Sequence, residues 1–116
     1  MHSFNKIAKA LSDENRLKML KLLTEKDICV CEMNALFPIS HSQVSRSLNV
    51  LYNAGFLKRW HDGKCVVYMA DRVSGNIYCQ KMLSLIADSF NEDESIQRLR
   101  EKLQQVIEGK VRERSK

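Results

Sequence analysis

No part of this 116-residue chain is apolar over the roughly 20 residues that a membrane-spanning helix needs. Its opening, Met1-His2-Ser3-Phe4-Asn5-Lys6, is too polar for a secretory signal, so the expectation is a cytoplasmic protein with no membrane partner. The chain also lacks a His-Glu-x-x-His pair, a P-loop, a dinucleotide fingerprint and a Ser-His-Asp arrangement. Its three histidines, His2, His41 and His61, are scattered, and no enzyme is expected. Internal repeats, low-complexity tracts and domain linkers are missing as well. That leaves one small domain, with 44% hydrophobic residues to build one modest core. Cysteine is sparse, at four residues. In a secreted protein these would suggest two disulfides; in a reducing cytosol they read as metal ligands and spare thiols.

What is present is helical periodicity broken by one β signal. Phe4, Ile7, Ala8 and Leu11 repeat at helical spacing. Ser12-Asp13 can cap a second helix with Leu17, Leu20 and Leu23 on one face and Lys18, Lys21 and Lys26 elsewhere. A third, short helix begins near Cys29–Cys31 and ends before Pro38. Ser40 or Ser42 caps a fourth, with the stripe Val44, Leu48 and Leu51 and a stop at Gly55. The period then changes to two strands, 56–61 and 64–70, joined at Asp62-Gly63, a strong hairpin signal. Val73 to Phe90 returns to helical spacing, and its wide apolar surface points to a partner subunit. After the break at 91–95, Ile96, Leu99, Leu103, Val106 and Ile107 form a short heptad-like seam, either an oligomer contact or a helix packed on its own domain. The tail beyond Gly109 is expected to fray.

Helices, a turn, a capped helix and a hairpin together predict a mainly α protein with a β-hairpin wing (α+β), a winged helix-turn-helix. A helix fits the DNA major groove, and polar side chains near its N-terminus reach base edges. The candidates here are Ser40, His41, Ser42, Gln43, Ser45, Arg46, Ser47 and Asn49. Gln43 suits adenine and Arg46 suits guanine, each through paired hydrogen bonds. His61 and Lys64 flank the hairpin turn, where phosphate or the adjacent minor groove would lie. The net charge of +5 supports this placement. Between Ser40 and Arg72 the bases Arg46, Lys58, Arg59, Lys64 and Arg72 face only Asp62 and Asp71.

Cys29-Val30-Cys31 precedes that segment, and two sulfurs one residue apart can chelate a soft metal or metalloid. In a regular helix residues two apart point about 200° from each other, so chelation there should impose local unwinding. A disulfide within so small a ring would strain the preferred geometry. Oxidation of one thiol, a redox switch, is the alternative use.

The run from Leu11-Ser12-Asp13-Glu14-Asn15-Arg16-Leu17 through Tyr68 resembles the ArsR/SmtB family of metal-responsive repressors. The likeness is carried by Val44-Ser45-Arg46-Ser47-Leu48, by Ala54-Gly55-Phe56-Leu57 and by Tyr68. Ser47 stands where the family commonly has His, and Cys65 where an aromatic residue is common. The resemblance implies a homodimer on a palindromic double-stranded operator, with residues 1–90 as the DNA-binding and dimerisation domain and 91–116 as a helical extension. Asp27-Ile28-Cys29-Val30-Cys31-Glu32-Met33 resembles the family's thiol motif, and on the arsenic-repressor branch it implies As(III) or Sb(III) as inducer, bound by Cys29 and Cys31. Cadmium or lead is the alternative inducer. Arsenic-sensing relatives often place a third Cys where this chain has Asn34, which leaves Cys65, Cys79, a partner thiol or an exogenous ligand as third donor. Zinc sensors of the family use Asp and His on the last long helix; no histidine lies there, so no zinc site on the fifth helix is expected.

Overall fold

The computed structural model describes residues 1–73 and 75–114, the last four as backbone. Ser74, and Ser115 and Lys116 of the tail expected to fray, lie outside them. The order is α1 (His2–Leu11), α2 (Glu14–Glu25), β1 (Ile28–Cys29), α3 (Val30–Asn34), α4 (His41–Ala54), β2 (Leu57–Asp62), β3 (Cys65–Ala70), α5 (Ile77–Asp88) and α6 (Glu94–Arg114). No described helix is long and apolar enough to cross a membrane.

The local rules that predicted the helices also explain where they start. Asp13 caps α2 by accepting from the Arg16 N–H at 2.9 Å. Ser40 and Gln43 form a reciprocal capping box on α4, and Gly55 ends that helix at φ 101°. Helix α5 starts later than the apolar spacing suggests. Asn76 caps it, its Oδ1 accepting from the Cys79 N–H at 2.9 Å, so Val73 precedes the helix. Helix α6 is capped by Asp93 and continues through Gly109 to Arg114.

Met19, Leu20, Leu22, Ile28, Met33, Val44, Leu48, Leu51, Phe56 and Leu83 fill the core under the helix-turn-helix. The heptad-like seam of α6 packs on its own domain: Ile96 and Leu103 are buried, and Leu99, Val106 and Ile107 lie against the core. Lys21, which helical spacing sets off the apolar face of α2, is fully buried. Its ammonium donates to the Ala87 carbonyl at the end of α5 at 2.8 Å and to Asn91 Oδ1 at 2.9 Å, and pairs with Glu25. A cation at a helix C-terminus satisfies carbonyls that the helix leaves unpaired. Arg100 of α6 also pairs with Glu25, which fastens the extension to α2.

Strand β1 is the element the sequence reading missed, because two residues carry no periodicity. It pairs antiparallel with β3 (Ile28↔Tyr68, Cys29↔Val67), giving a three-stranded sheet in the order β1-β3-β2. The β2–β3 wing turns at Gly63, whose φ of 61° an L side chain rarely adopts.

Candidate metal centre and DNA-reading face

The β1–β3 pairing sets up the thiol site. It ends at Cys29↔Val67, where α3 begins, and so seats the first turn of α3 beside the start of β3. Cys31 Sγ and Cys65 Sγ accordingly lie 3.4 Å apart, and Cys29 Sγ is 2.7 Å from Cys31 Sγ. All three sulfurs fall within 4.8 Å of one another. All four cysteines are free.

Cys29 is not inside a helix. It is the extended N-cap of α3 (φ −80°, ψ 157°), with its sulfur accepting from the Glu32 N–H at 3.4 Å while its own N–H donates to Glu32 Oε1 at 2.9 Å. The expected unwinding is therefore unnecessary. The break between β1 and α3 already turns both sulfurs to one side. Cys79 is excluded from the cluster: it is fully buried beneath Gly55, and its thiol donates to the Ala54 carbonyl at 3.3 Å. It behaves as a small core hydrophobe.

Lys110, from the far end of α6, completes the site. Its Nζ donates to Cys31 Sγ at 2.9 Å and Cys29 Sγ at 3.1 Å, and stands 3.7 Å from Glu32 Oε2. Burial pushes the Cys29 thiol up to about 12, helped by its bond with Cys31. Burial acts the same way on Cys31, but hydrogen bonds from Cys29, Lys110 and Cys65 outweigh it and bring Cys31 down to about 7. The Cys31 sulfur in turn holds Cys65 above the usual thiol range. Burial disfavours the Lys110 charge, yet the sulfurs of Cys31 and Cys29 and the Glu32 carboxylate hold it above the lysine range. One proton of the Cys29–Cys31 pair is thus lost easily and the second is retained, with the thiolate on the exposed Cys31. Iodoacetamide labelling of Cys31, followed by mass spectrometry, should rise steeply as the thiolate fraction climbs from about a tenth near pH 6 to about nine tenths near pH 8. Cys29 should stay unlabelled across that window; equal labelling of both near pH 6 contradicts the assignment.

Two clefts flank the sulfurs. One, of about 210 Å³, is lined by Asp27, Glu32, Asp62 and Lys110 beside Cys29 and Cys65. The other, of about 500 Å³, is lined by Ser45, Arg59, His61 and Lys64 beside Cys31 and Cys65. Asn34 lines this second cleft, and its buried Oδ1 has no hydrogen-bond partner. The thiols thus touch the same cleft as groups predicted to meet DNA from both α4 and the wing.

On α4, His41, Ser42, Gln43, Ser45, Arg46 and Asn49 are exposed and Ser47 is half-buried. His61 and Lys64 are exposed on the wing. Gln43 differs from expectation in one respect. Its Oε1 accepts from the Ser40 N–H at 3.0 Å, so a paired contact to adenine requires opening the capping box. Sequence reasoning overlooked Arg59, which lies over the Tyr52 ring at 3.9 Å, donates to the Tyr68 hydroxyl at 3.3 Å and approaches Asn49 Oδ1 at 3.5 Å. It ties β2 to the recognition helix. Lys110 was also overlooked, since nothing in sequence spacing links α6 to the start of α3.

A family model described as "Bacterial regulatory protein, arsR family" matches residues 13–59, from the cap of α2 into the wing. The cadmium resistance transcriptional regulatory protein CadC of Listeria innocua is 34% identical over 89 residues, covering 76% of this chain and 69% of that protein. The chain belongs to the ArsR family. A putative arsenical resistance operon repressor ArsR of Halobacterium salinarum is 38% identical over 60 residues, 50% of this chain and 46% of that protein. This ArsR-family chain spans about half to two thirds of the length of the curated relatives it matches. Its fold is that of the homodimeric winged helix-turn-helix DNA-binding domain Mb0332 of Mycobacterium bovis. That match has a TM-score of 0.63 at 18% identity, over 80% of this chain and 82% of that one.

Proposed function

We propose that this chain is a DNA-binding transcriptional repressor that leaves its operator when As(III) or Sb(III) binds the thiols of Cys29, Cys31 and Cys65. The observation that carries the reading is the convergence of three sulfurs, two from the β1–α3 junction and one from the wing, within 4.8 Å. A soft centre with sulfur bonds of about 2.3 Å, taking zinc–sulfur as a guide, holds its thiolates roughly 3.3–3.8 Å apart for bond angles of about 90–110°. Small side-chain adjustments reach that spacing from the present one. Trivalent arsenic and antimony take three sulfurs in a pyramid, which suits a set of three. The thiolate on Cys31 supplies the first nucleophile.

Cys65 gives the site a short route to DNA. It opens β3, next to Lys64 at the wing turn, and shares a cleft with Ser45 of the recognition helix. Joining Cys65 to Cys29 and Cys31 through one centre fixes the start of β3 against the β1–α3 junction and so restrains the wing relative to α4. Release then requires that the inducer bind the DNA-free form more tightly than the operator-bound form. The partners are a palindromic operator and a second copy of the chain. Phe4 of α1 and Tyr78 of α5 stack edge to face at 5.4 Å while about half exposed, and Ile77 and Leu85 are also exposed on α5. Exposed apolar side chains on these two helices suit a homodimer contact.

Fluorescence anisotropy on a labelled palindromic operator tests this reading. As(III) should weaken operator binding by about 5- to 150-fold, the ordinary range of allosteric coupling. Unchanged affinity at saturating As(III) rules it out. A divalent inducer, Cd(II) or Pb(II), is the second reading, favoured by the Lys110 ammonium on the sulfurs.

A further inference from the structure

Helix α6 delivers Lys110 onto two of the three sulfurs, at 2.9 and 3.1 Å. We propose that Lys110 is a specificity-determining residue of the inducer site: its positive charge favours a divalent soft cation such as Pb(II) over As(III) on the same three thiols. The inference rests on the three-thiol reading above and deepens it.

Charge balance is the reason. Arsenite arrives as neutral As(OH)₃. Counted for both ions from three protonated thiols, three As–O bonds break and three As–S bonds form, and the three thiol protons leave with the hydroxides as three waters, so the bound product is neutral. Pb(II) forms three Pb–S bonds while three thiol protons pass to solvent, and its product carries one negative charge. Both centres keep a lone pair and take a pyramid of three sulfurs, so the donor geometry is shared and the charge differs. A unit charge about 3 Å from the sulfurs interacts with that extra negative charge by more than thermal energy, even at the dielectric constant of water.

The other charged groups around the acidic cleft are Asp27, Glu32 and Asp62. Their negative charge draws cations from solution but opposes an anionic product. Lys110 touches the sulfurs themselves, and Glu32 stands 3.7 Å behind it. Arg59 and Lys64 line the cleft on the other side of Cys31 and Cys65, but Lys110 is the cation hydrogen-bonded to the sulfurs, so its ammonium is the nearest charge to offset that of a divalent complex. A lysine that served only to dock α6 on α3 would affect both products alike.

Titrations of the full chain with As(III), Sb(III) and Pb(II), followed by thiolate-to-metal absorption, separate these roles. Lys110→Met should lower Pb(II) affinity relative to As(III) by about tenfold, with Sb(III) tracking As(III) and Lys110→Arg restoring the parent ratio. An unchanged ratio in Lys110→Met overturns the proposal, whether both affinities fall together or neither moves. If none of the three ions binds the parent chain, the three-thiol site itself is wrong and this inference falls with it. Binding with an unaltered ratio removes the Lys110 role alone.

Discussion

Cys65→Ser should weaken As(III) binding by more than about 100-fold and abolish As(III)-dependent release from the operator. Loss of an outer-shell partner of a metal ligand already costs about 10- to 100-fold, and loss of a ligand exceeds that. Cys29→Ser and Cys31→Ser should behave the same way, because each removes one of three sulfurs within 4.8 Å. Cys79→Ser is the control. Its thiol is spent on the Ala54 carbonyl in the core, so As(III) affinity should stay at the parent value even if stability falls. The informative comparison is between Cys65 and Cys79, which sequence alone left equal as third donors. Parent-like As(III) affinity in Cys65→Ser, measured by absorption titration, would return the third ligand to a partner subunit or an exogenous thiol. Operator affinity without inducer should be preserved in all four variants, which separates sensing from DNA binding.

Arg46→Ala should reduce affinity for the specific operator by roughly 10- to 100-fold and relax the choice at one base pair, as expected for loss of a bidentate guanine contact. Arg46 is exposed on α4, one turn beyond the capping box, where a helix seated in the major groove presents side chains to base edges. Lys64→Ala should act differently. At the exposed wing turn it would touch phosphate, so its loss should weaken all sequences about equally and lower the salt slope by about one. Affinities for specific and scrambled duplexes across a salt series distinguish the two. If Arg46→Ala weakens both duplexes equally, its role is electrostatic and base reading lies elsewhere on α4.

The two residues also show which local rules held. The Ser40 cap, the Val44-Leu48-Leu51 stripe and the Gly55 stop located α4 almost to the residue, because capping and helical periodicity are interactions within a few positions. Turn chemistry at Gly63 placed the wing for the same reason. Apolar spacing starts α5 too early, since it does not register the cap at Asn76. Helical spacing sets Lys21 off the apolar face of α2 and gives no sign of its burial. Only the end of α5, Asn91 and Glu25, brought together in space, make its burial tolerable.

By itself the sequence determined the winged helix-turn-helix, the basic reading segment and the Cys29-Val30-Cys31 pair, all written in contacts between near neighbours. The tertiary structure alone decided what surrounds that pair. A two-residue strand too short to show a period aligned β3 so that Cys65, rather than Cys79, meets the pair. An N-cap in place of a helix interior put Cys29 and Cys31 on one side without unwinding. The packing of α6 across 79 residues of chain set Lys110 against Cys31. Each is a long-range pairing, set by sheet register and core packing, which leave no mark on local residue spacing.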